Sequence, residues 1–345
     1  MIIEPRIKRN QRVYFAIVFI IFFSVLMAMR PEETKDTLNY IKAFENINIP
    51  ITGSFNLLQK YQGYEWGYLL LAEVFKYWSI NYRIFFFFVS FTGTTMSVVG
   101  LKRISDCVEE KNKDYWGTVL AIYISSFGML YNGISARAGL AMGIGIFATS
   151  LLWQRKLLRG VILTFLAFTI QRSTIIFVAI FIILEYMPAI TKQVHMIVWG
   201  IFGAIMFSKL SLRLYFMLNP LIVKIFNDYK ITGFASYFID GIDTAVGLRD
   251  IYMWLLYGAL IVLMTRNNVK YKNCLNVVMA GAFIVVTMYS VRSISRVYDM
   301  FFLLMVPCMV AAYWGKSKLC RRDRRIVIFA VIMVNTMLML KGSFL

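Results

Sequence analysis

The chain has 345 residues, of which 59% are hydrophobic and 16% aromatic, with a mean hydropathy of +0.66 and a formal net charge of +19. Soluble domains are closer to half apolar, so the composition excludes an ordinary soluble protein and predicts a polytopic helical membrane protein. The basic residues are scattered among short loops between apolar runs, which is the pattern of membrane topology. The charge therefore does not indicate nucleic-acid binding, and membrane lipids and anionic substrates are the expected partners.

Apolar runs follow one another along the whole chain. The first twelve residues carry Arg6, Lys8, Arg9 and Arg12 against Glu4, which predicts a cytoplasmic N-terminus. We expect a single all-α membrane domain, 1–345, with about 10–11 membrane helices. The predicted spans lie near 13–29, 84–101, 116–131, 138–153, 160–186, 194–208, 251–265, 277–289, 300–314 and 326–340.

Two long polar loops, 30–82 and 209–250, are predicted on the outer side of the membrane. In the first, Asp36 or Thr37 is a candidate helix cap, and Tyr40 lies one turn further on. The stretch 64–79 is apolar and aromatic but is interrupted by Glu65, Glu73 and Lys76. It is therefore predicted to be an amphipathic helix at the membrane interface.

The stretch 160–186 decides the topology because Gln171, Arg172 and Ser173 interrupt it. A single crossing would place the later basic loops 266–272 and 316–325 outside, against the positive-inside rule. A hairpin with Arg172 at its outer tip returns both loops to the cytoplasm and removes the arginine from the bilayer centre. An additional span near 212–226 is an alternative to the hairpin.

Under the hairpin topology, arginines from distant parts of the chain share the outer side: Arg30, Arg137, Arg172, Arg292 and Arg296. Arg137 lies at the tip of a tight turn between two apolar runs, where a charge costs about 2.5–3.5 kcal/mol on insertion scales. Guanidinium groups bind phosphate oxygens in forked pairs, so several of them suit a diphosphate. The alternative is that each arginine extends to the lipid headgroups.

The candidate proton-transfer groups are five acids of the outer segments: Asp36, Glu65, Asp299, Asp240 and Asp243. A carboxylate near arginines keeps its charge and can act as a general base. The structural alternatives are that Asp36 and Glu65 cap helices and that Asp299 pairs with Arg296 or Arg292. The single histidine, His195, is expected to be structural.

No metal site or cofactor is expected. The four cysteines, Cys107, Cys274, Cys308 and Cys320, show no metal-ligand spacing. Gly139, Gly143 and Gly145 do not form a phosphate loop and are predicted to pack helices closely.

Short motifs occur in a defined order along the chain: Arg30, Asp36-Thr37 and Tyr40, then Glu65-x-Gly67-Tyr68, then Arg137-Ala-Gly-Leu-Ala141, then Arg292 and Arg296-x-Tyr298. This ordered set resembles the EpsG-like members of the Wzy-type polysaccharide (O-antigen) polymerases. Such proteins are similar in plan to the O-antigen ligases, which have a GT-C-like membrane architecture and an arginine site in the periplasm.

The resemblance implies a metal-independent glycosyltransferase in the bacterial inner membrane. It would join oligosaccharide repeat units carried on undecaprenyl diphosphate, with a chain-length regulator as a further partner. By resemblance, Arg30, Arg137, Arg292 and Arg296 would bind the diphosphate, and Tyr40 and Tyr298 would line the sugar path.

The chain departs from the family pattern at Gln171-Arg172-Ser173, where EpsG-like proteins often carry a histidine. The catalytic candidates are therefore Asp36, Glu65 and Arg137, with Arg172 as a further substrate-binding residue. A transporter or flippase would show repeat symmetry between its halves, and an acyltransferase would need a histidine or serine nucleophile arrangement. A transporter, a flippase or a ligase for lipid-linked oligosaccharides remains the alternative to a polymerase.

Overall fold

Every regular element in the described part of the chain is a helix. The structure, a computed structural model, describes residues 9–33, 36–47, 65–108, 115–213, 215–217, 220, 224, 246–264, 268–289, 295–314 and 321–344. It divides into a first unit, Met1–Phe181 with Ile326–Leu345, and a second unit, Ile182–Arg325. The predicted all-α class is confirmed.

The first unit is built from a series of helices that follow one another along the chain. They are α1 (Arg9–Ala28), α2 (Thr37–Asn46), α3 (Trp66–Tyr77), α4 (Tyr82–Val108), α5 (Trp116–Tyr123), α6 (Ala136–Trp153) and α7 (Leu157–Ile170). A 3-10 turn at Arg172–Ile175 leads into α8 (Ile176–Tyr186).

The second unit contains α9 (Lys192–Phe207), α10 (Leu248–Leu263), α11 (Val269–Met288), α12 (Ser295–Phe302) and α13 (Met305–Trp314). The last helix, α14 (Arg321–Phe344), begins in the second unit and continues in the first.

Six described segments are long and apolar enough to cross a membrane: Gln11–Ala28, Tyr82–Val108, Trp116–Ile134, Ala136–Trp153, Val269–Met288 and Arg296–Trp314. A bent pair, Lys192–Phe207 with Leu210–Met217, raises this number to seven if it forms one span. Other predicted spans coincide with shorter helices, among them α7. The chain is thus a polytopic membrane protein, as predicted.

The helices α4 and α6 approach each other closely because glycine removes the side chain on both sides. A Cβ atom on Gly143 would overlap the carbonyl oxygen of Gly93, and a Cβ atom on Gly93 would lie 3.0 Å from the carbonyl oxygen of Gly139. In the same way, Gly145 faces the ring of Phe177. The predicted packing role of these glycines is confirmed.

The turn before Arg137 consists of a single residue between two helices. A π-helix, Ile124–Ile134, continues α5, and only Ser135 separates it from α6. Ser135 donates its backbone N–H to the carbonyl of Leu130 at 2.9 Å, and the buried Asn132 donates its side-chain amide to Tyr123 Oη at 2.8 Å. Widened helices of this kind often occur at functional sites. This one ends three residues before Arg137.

The chain reverses direction at the predicted interruption of 160–186. Arg172 lies level with Arg137 because both bind Glu65. Phe177, only five residues later, packs against Gly145, which lies about 12 Å further along α6 from Arg137 at 1.5 Å per residue. This contact favours the hairpin over a single crossing, with Arg172 at its tip.

In the second unit, two tryptophans join α9 to α10. The rings of Trp199 and Trp254 stack with centroids 4.6 Å apart, and each indole N–H donates to the other residue's carbonyl at 3.0 Å. His195 is fully buried and lies 2.7 Å from Tyr257 Oη through Nδ1. This burial agrees with the structural role predicted for His195.

The close approach of α4 and α6 generates a stability prediction. Gly143→Ala should lower the free energy of unfolding by about 1–3 kcal/mol, because the new methyl group overlaps the Gly93 backbone. Gly200→Ala in α9 is the matched control, since nothing lies within 4 Å of its Cβ position, and it should be neutral or slightly stabilising. Thermal unfolding in detergent micelles measures both changes. Equal midpoints for the two variants would contradict the packing described here.

Candidate functional site

The carboxylate of Glu65 connects three separate elements of the first unit. Its Oε2 accepts a hydrogen bond from Arg137 Nη1 at 2.5 Å, and its Oε1 accepts one from the backbone N–H of Arg172 at 3.1 Å. The Arg137 and Glu65 side chains are only 14% and 16% exposed, respectively. Glu65 therefore joins the start of α3, the start of α6 and the turn after α7.

Glycine explains how Glu65 reaches these partners. Gly67, in the first turn of α3, lies against the end of α7, where a Cβ atom would be 2.5 Å from Thr169 Oγ1 and 2.7 Å from the Thr169 carbonyl oxygen. Any larger residue would push α3 away from α7. Because Gly67 lets α3 lie against α7, the carboxylate of Glu65, two residues earlier, can reach both Arg137 and Arg172.

A lysine fixes the other end of α3 to α2. Lys76 donates through Nζ to the carbonyl oxygens of Glu45 at 2.5 Å and Ile47 at 2.7 Å, which lie at the C-terminal end of α2. A cation at a helix C-terminus binds carbonyls that have no partner inside the helix. This contact keeps α2, with Tyr40, beside α3.

Arg30 lies where α1 has just ended, above the start of α4. Its Nε donates to Thr37 Oγ1 at 2.8 Å, and its Cζ lies 4.6 Å from the centre of the Phe86 ring. Burial lowers the pKa of Arg30 from its ordinary value, while Tyr68, Tyr40 and Asp36 act in the opposite direction. Among the described residues, Arg30 Nη2 is buried and has no hydrogen-bond acceptor.

Asp36 precedes α2 in a left-handed backbone conformation, with φ 67° and ψ −19°. Aspartate tolerates this region better than most residues, but the conformation still carries strain of about 1–3 kcal/mol. Its side chain makes no capping hydrogen bond to α2, so the helix-cap alternative is not observed. The carboxylate instead lies within electrostatic reach of Arg30.

The two tyrosines near Arg30 are buried in the core of the first unit. Tyr40 is 5% exposed and Tyr68 1%, and their ring centroids are 5.9 Å apart. The predicted sugar-lining residue Tyr40 therefore lies beneath the site, where its ring holds α2 against α3.

One end of the first unit brings together most of the predicted site. We call it the Arg137 end, the end where α1 and α7 finish and α4 and α6 begin. It carries six of the predicted residues: Arg30, Asp36, Tyr40, Glu65, Arg137 and Arg172. Arg172 is exposed. The opposite end carries the basic residues of the predicted inner loops, such as Lys102, Arg103 and Arg159.

The remaining predicted residues belong elsewhere. Arg296, Tyr298 and Asp299 lie in α12 of the second unit. Arg292, Asp240 and Asp243 lie outside the described residues.

The ion pair expected for Asp299 forms with a different arginine. Asp299, 1% exposed, pairs with Arg249 at the start of α10. Tyr298 donates its hydroxyl to Asp250 Oδ1 at 3.2 Å. Arg249 and Asp250 were not predicted to be functional, since they follow a long polar loop and look like an ordinary helix start. The only local signal was an acidic residue in the first helical turn.

The family model described as EpsG matches residues 13–343, nearly the whole chain. The chain belongs to the EpsG family. The EpsG family is a Wzy-like polymerase family, so membership supports a polysaccharide polymerase-like role in general. Neither the comparison with curated proteins nor that with solved structures gives a match.

The Glu65–Arg137 ion pair of this EpsG protein generates a second stability prediction. A double-mutant cycle with Glu65→Gln and Arg137→Gln should give a coupling energy of about 1–3 kcal/mol, because the pair is largely shielded from solvent. The cycle Arg83→Gln with Glu32→Gln is the control, since that pair is 3.7 Å apart and about half exposed. Thermal unfolding of the purified protein provides the four stabilities. Additive effects at Glu65 and Arg137 would contradict the role of this contact.

Proposed function

We propose that this protein is a polysaccharide polymerase that joins lipid-linked oligosaccharide repeat units by glycosyl transfer. The donor is a chain carried on undecaprenyl diphosphate, and the acceptor is a hydroxyl of the incoming lipid-linked unit. The new bond forms between that oxygen and the anomeric carbon of the donor. The bond from that carbon to the diphosphate breaks, and undecaprenyl diphosphate leaves with both electrons of the broken bond.

The observation that carries this proposal is that three arginines, Arg30, Arg137 and Arg172, lie at one end of the first unit. The carboxylate of Glu65 binds the side chain of Arg137 and the backbone N–H of Arg172. Arg30 lies beside Tyr68, which is one turn of α3 away from Glu65. A leaving diphosphate gains negative charge, which fixed guanidinium groups stabilise. The buried Arg30 Nη2, which has no acceptor among the described residues, suits a phosphate oxygen.

The orientation of the site follows from charge. The end of the first unit opposite to Arg137 carries Lys102 and Arg103 near the end of α4, and Arg155 and Lys156 between α6 and α7. By the positive-inside rule, that end and the N-terminus lie in the cytoplasm. The Arg137 end then faces the outside of a bacterial cytoplasmic membrane, where lipid-linked repeat units are joined after they cross.

The contacts suggest different roles for the two candidate acids. Both oxygens of Glu65 already accept hydrogen bonds, so Glu65 serves best to orient Arg137 and the Arg172 turn. Asp36 is the better candidate to accept the proton of the attacking hydroxyl, because it lies within electrostatic reach of Arg30, one of the proposed diphosphate ligands. Holding donor and acceptor in line provides the rest of the acceleration.

The first test of this proposal is a glycan ladder from intact cells. Arg30→Ala, Arg137→Ala and Arg172→Ala should each reduce long chains by about tenfold or more, because each removes a contact to the transition-state charge. Single repeat units should still accumulate. The control is Arg159→Ala, an exposed arginine at the opposite end of α7, which should leave the ladder unchanged. Loss of single repeats along with long chains would instead indicate export or ligation.

The orientation has a separate test. Cysteines introduced as Asn39→Cys in α2 and Arg159→Cys in α7 replace exposed residues at the two ends of the first unit. A membrane-impermeant maleimide should label the first in intact cells and the second only after lysis. Labelling of Arg159→Cys from outside would contradict the proposed orientation.

A further inference from the structure

The second unit contains a polar network that is separate from the Arg137 end. It comprises Arg249 and Asp250 at the start of α10 and Tyr298 and Asp299 in α12, and we call it the Asp250 cluster. Arg249 pairs with Asp299, and its Cζ lies 5.7 Å from the centre of the Tyr298 ring. Tyr298 Oη lies 3.2 Å from Asp250 Oδ1. Four side chains from two helices therefore hold one another in place.

The cluster has a closed side and an open side. Tyr298 and Asp299 are 2% and 0% exposed as residues, so they form its floor. The side chain of Arg249 is 29% exposed, and Asp250 is also partly exposed. If the network served only to join α10 to α12, apolar side chains would do so at least as well, since removing charges from water opposes their attraction. Because the cluster is partly open, its charged groups can also form hydrogen bonds to a ligand.

The charges of the cluster identify the kind of ligand. One guanidinium and two carboxylates leave no net positive charge, so a phosphate would be repelled. Sugar hydroxyls, in contrast, donate to carboxylates and accept from a guanidinium. The ring of Tyr298 is buried and covered by Arg249, so it supports Asp250 and does not stack on a sugar.

We propose that the Asp250 cluster binds a neutral saccharide of the lipid-linked repeat unit. Asp250 accepts hydrogen bonds from sugar hydroxyls, and Arg249 donates to their oxygens. Asp299 and Tyr298 are positioning residues that hold these two side chains from below. This inference rests on the proposed function, because it assigns the sugar part of the same class of substrate to a second set of residues.

The test separates sugar binding from diphosphate binding in the purified full-length protein. The first probe is the repeat-unit oligosaccharide released from its lipid by mild acid, and the second is undecaprenyl diphosphate. Isothermal titration calorimetry in detergent micelles measures each one alone. Asp250→Asn should weaken oligosaccharide binding by about tenfold or more, as expected for a lost hydrogen bond to a charged group. The same variant should bind undecaprenyl diphosphate as the wild type does.

Arg137→Ala should give the opposite pattern: it should weaken the binding of undecaprenyl diphosphate and leave the binding of the oligosaccharide unchanged. Tyr298→Phe, which removes only the hydroxyl that contacts Asp250, should weaken oligosaccharide binding by a smaller factor. The matched control is Glu185→Gln, which makes the same carboxylate-to-amide change as Asp250→Asn at another position of the second unit. It should change neither affinity.

Each outcome is decisive for one of the two proposals. Unchanged oligosaccharide affinity in Asp250→Asn, or no oligosaccharide binding by the wild type, overturns the sugar site and leaves the polymerase proposal intact. Diphosphate binding that does not depend on Arg137 overturns the proposed function of the Arg137 end. Retained diphosphate binding by Asp250→Asn also shows that this variant is folded, so a loss of sugar binding cannot result from unfolding.

Discussion

The Arg137 end depends on the carboxylate of Glu65. Arg137 lies at the start of a helix whose N-terminal dipole disfavours a cation, and the Glu65 carboxylate balances its charge. The same carboxylate accepts the N–H of Arg172, which the extended backbone of Gln171 exposes. One residue thus balances a charge, ends a helix hairpin and sets where α3 begins.

This arrangement requires helices that pack very closely. Gly93 and Gly143 let α4 and α6 meet almost backbone to backbone, and Gly67 does the same for α3 and α7. In a membrane, where burial of apolar side chains between helices gains little over contact with lipid, close packing is a principal source of helix association. The glycines therefore determine how near the ends of α3, α6 and α7 can come, and with them the charged residues that these ends carry.

The two polar clusters differ in chemistry, and each one matches a different chemical group of the proposed substrates. At the Arg137 end, three arginines face two acids, Asp36 and Glu65, which favours an anion such as a diphosphate. In the Asp250 cluster, two acids face Arg249, which favours hydroxyl groups. A polymerase of lipid-linked sugars needs both kinds of recognition, since each substrate combines a diphosphate with a saccharide.

The sequence by itself determined the class of protein, the order of its helices and the importance of Arg137. Apolar runs of membrane length require helices, and an arginine between two of them requires a partner. The packing role of Gly139, Gly143 and Gly145 was also predicted from their spacing, and His195 was expected to be structural; the close helix contacts and the burial of His195 agree with these predictions. The match of residues 13–343 to the EpsG family confirms the resemblance that the ordered short motifs indicated.

Only the tertiary structure decided which charges meet. Glu65 and Arg137 are 72 residues apart and Glu65 and Arg172 are 107 apart, so no local pattern could pair them. The same holds for Arg249 and Asp299, 50 residues apart, where the sequence suggested a nearer arginine as the partner. Ion pairs depend on how helix ends align in space, and that alignment is set by packing along entire helices. The sequence therefore identified the arginines, and the packing of the helices determined which acidic residues they pair with.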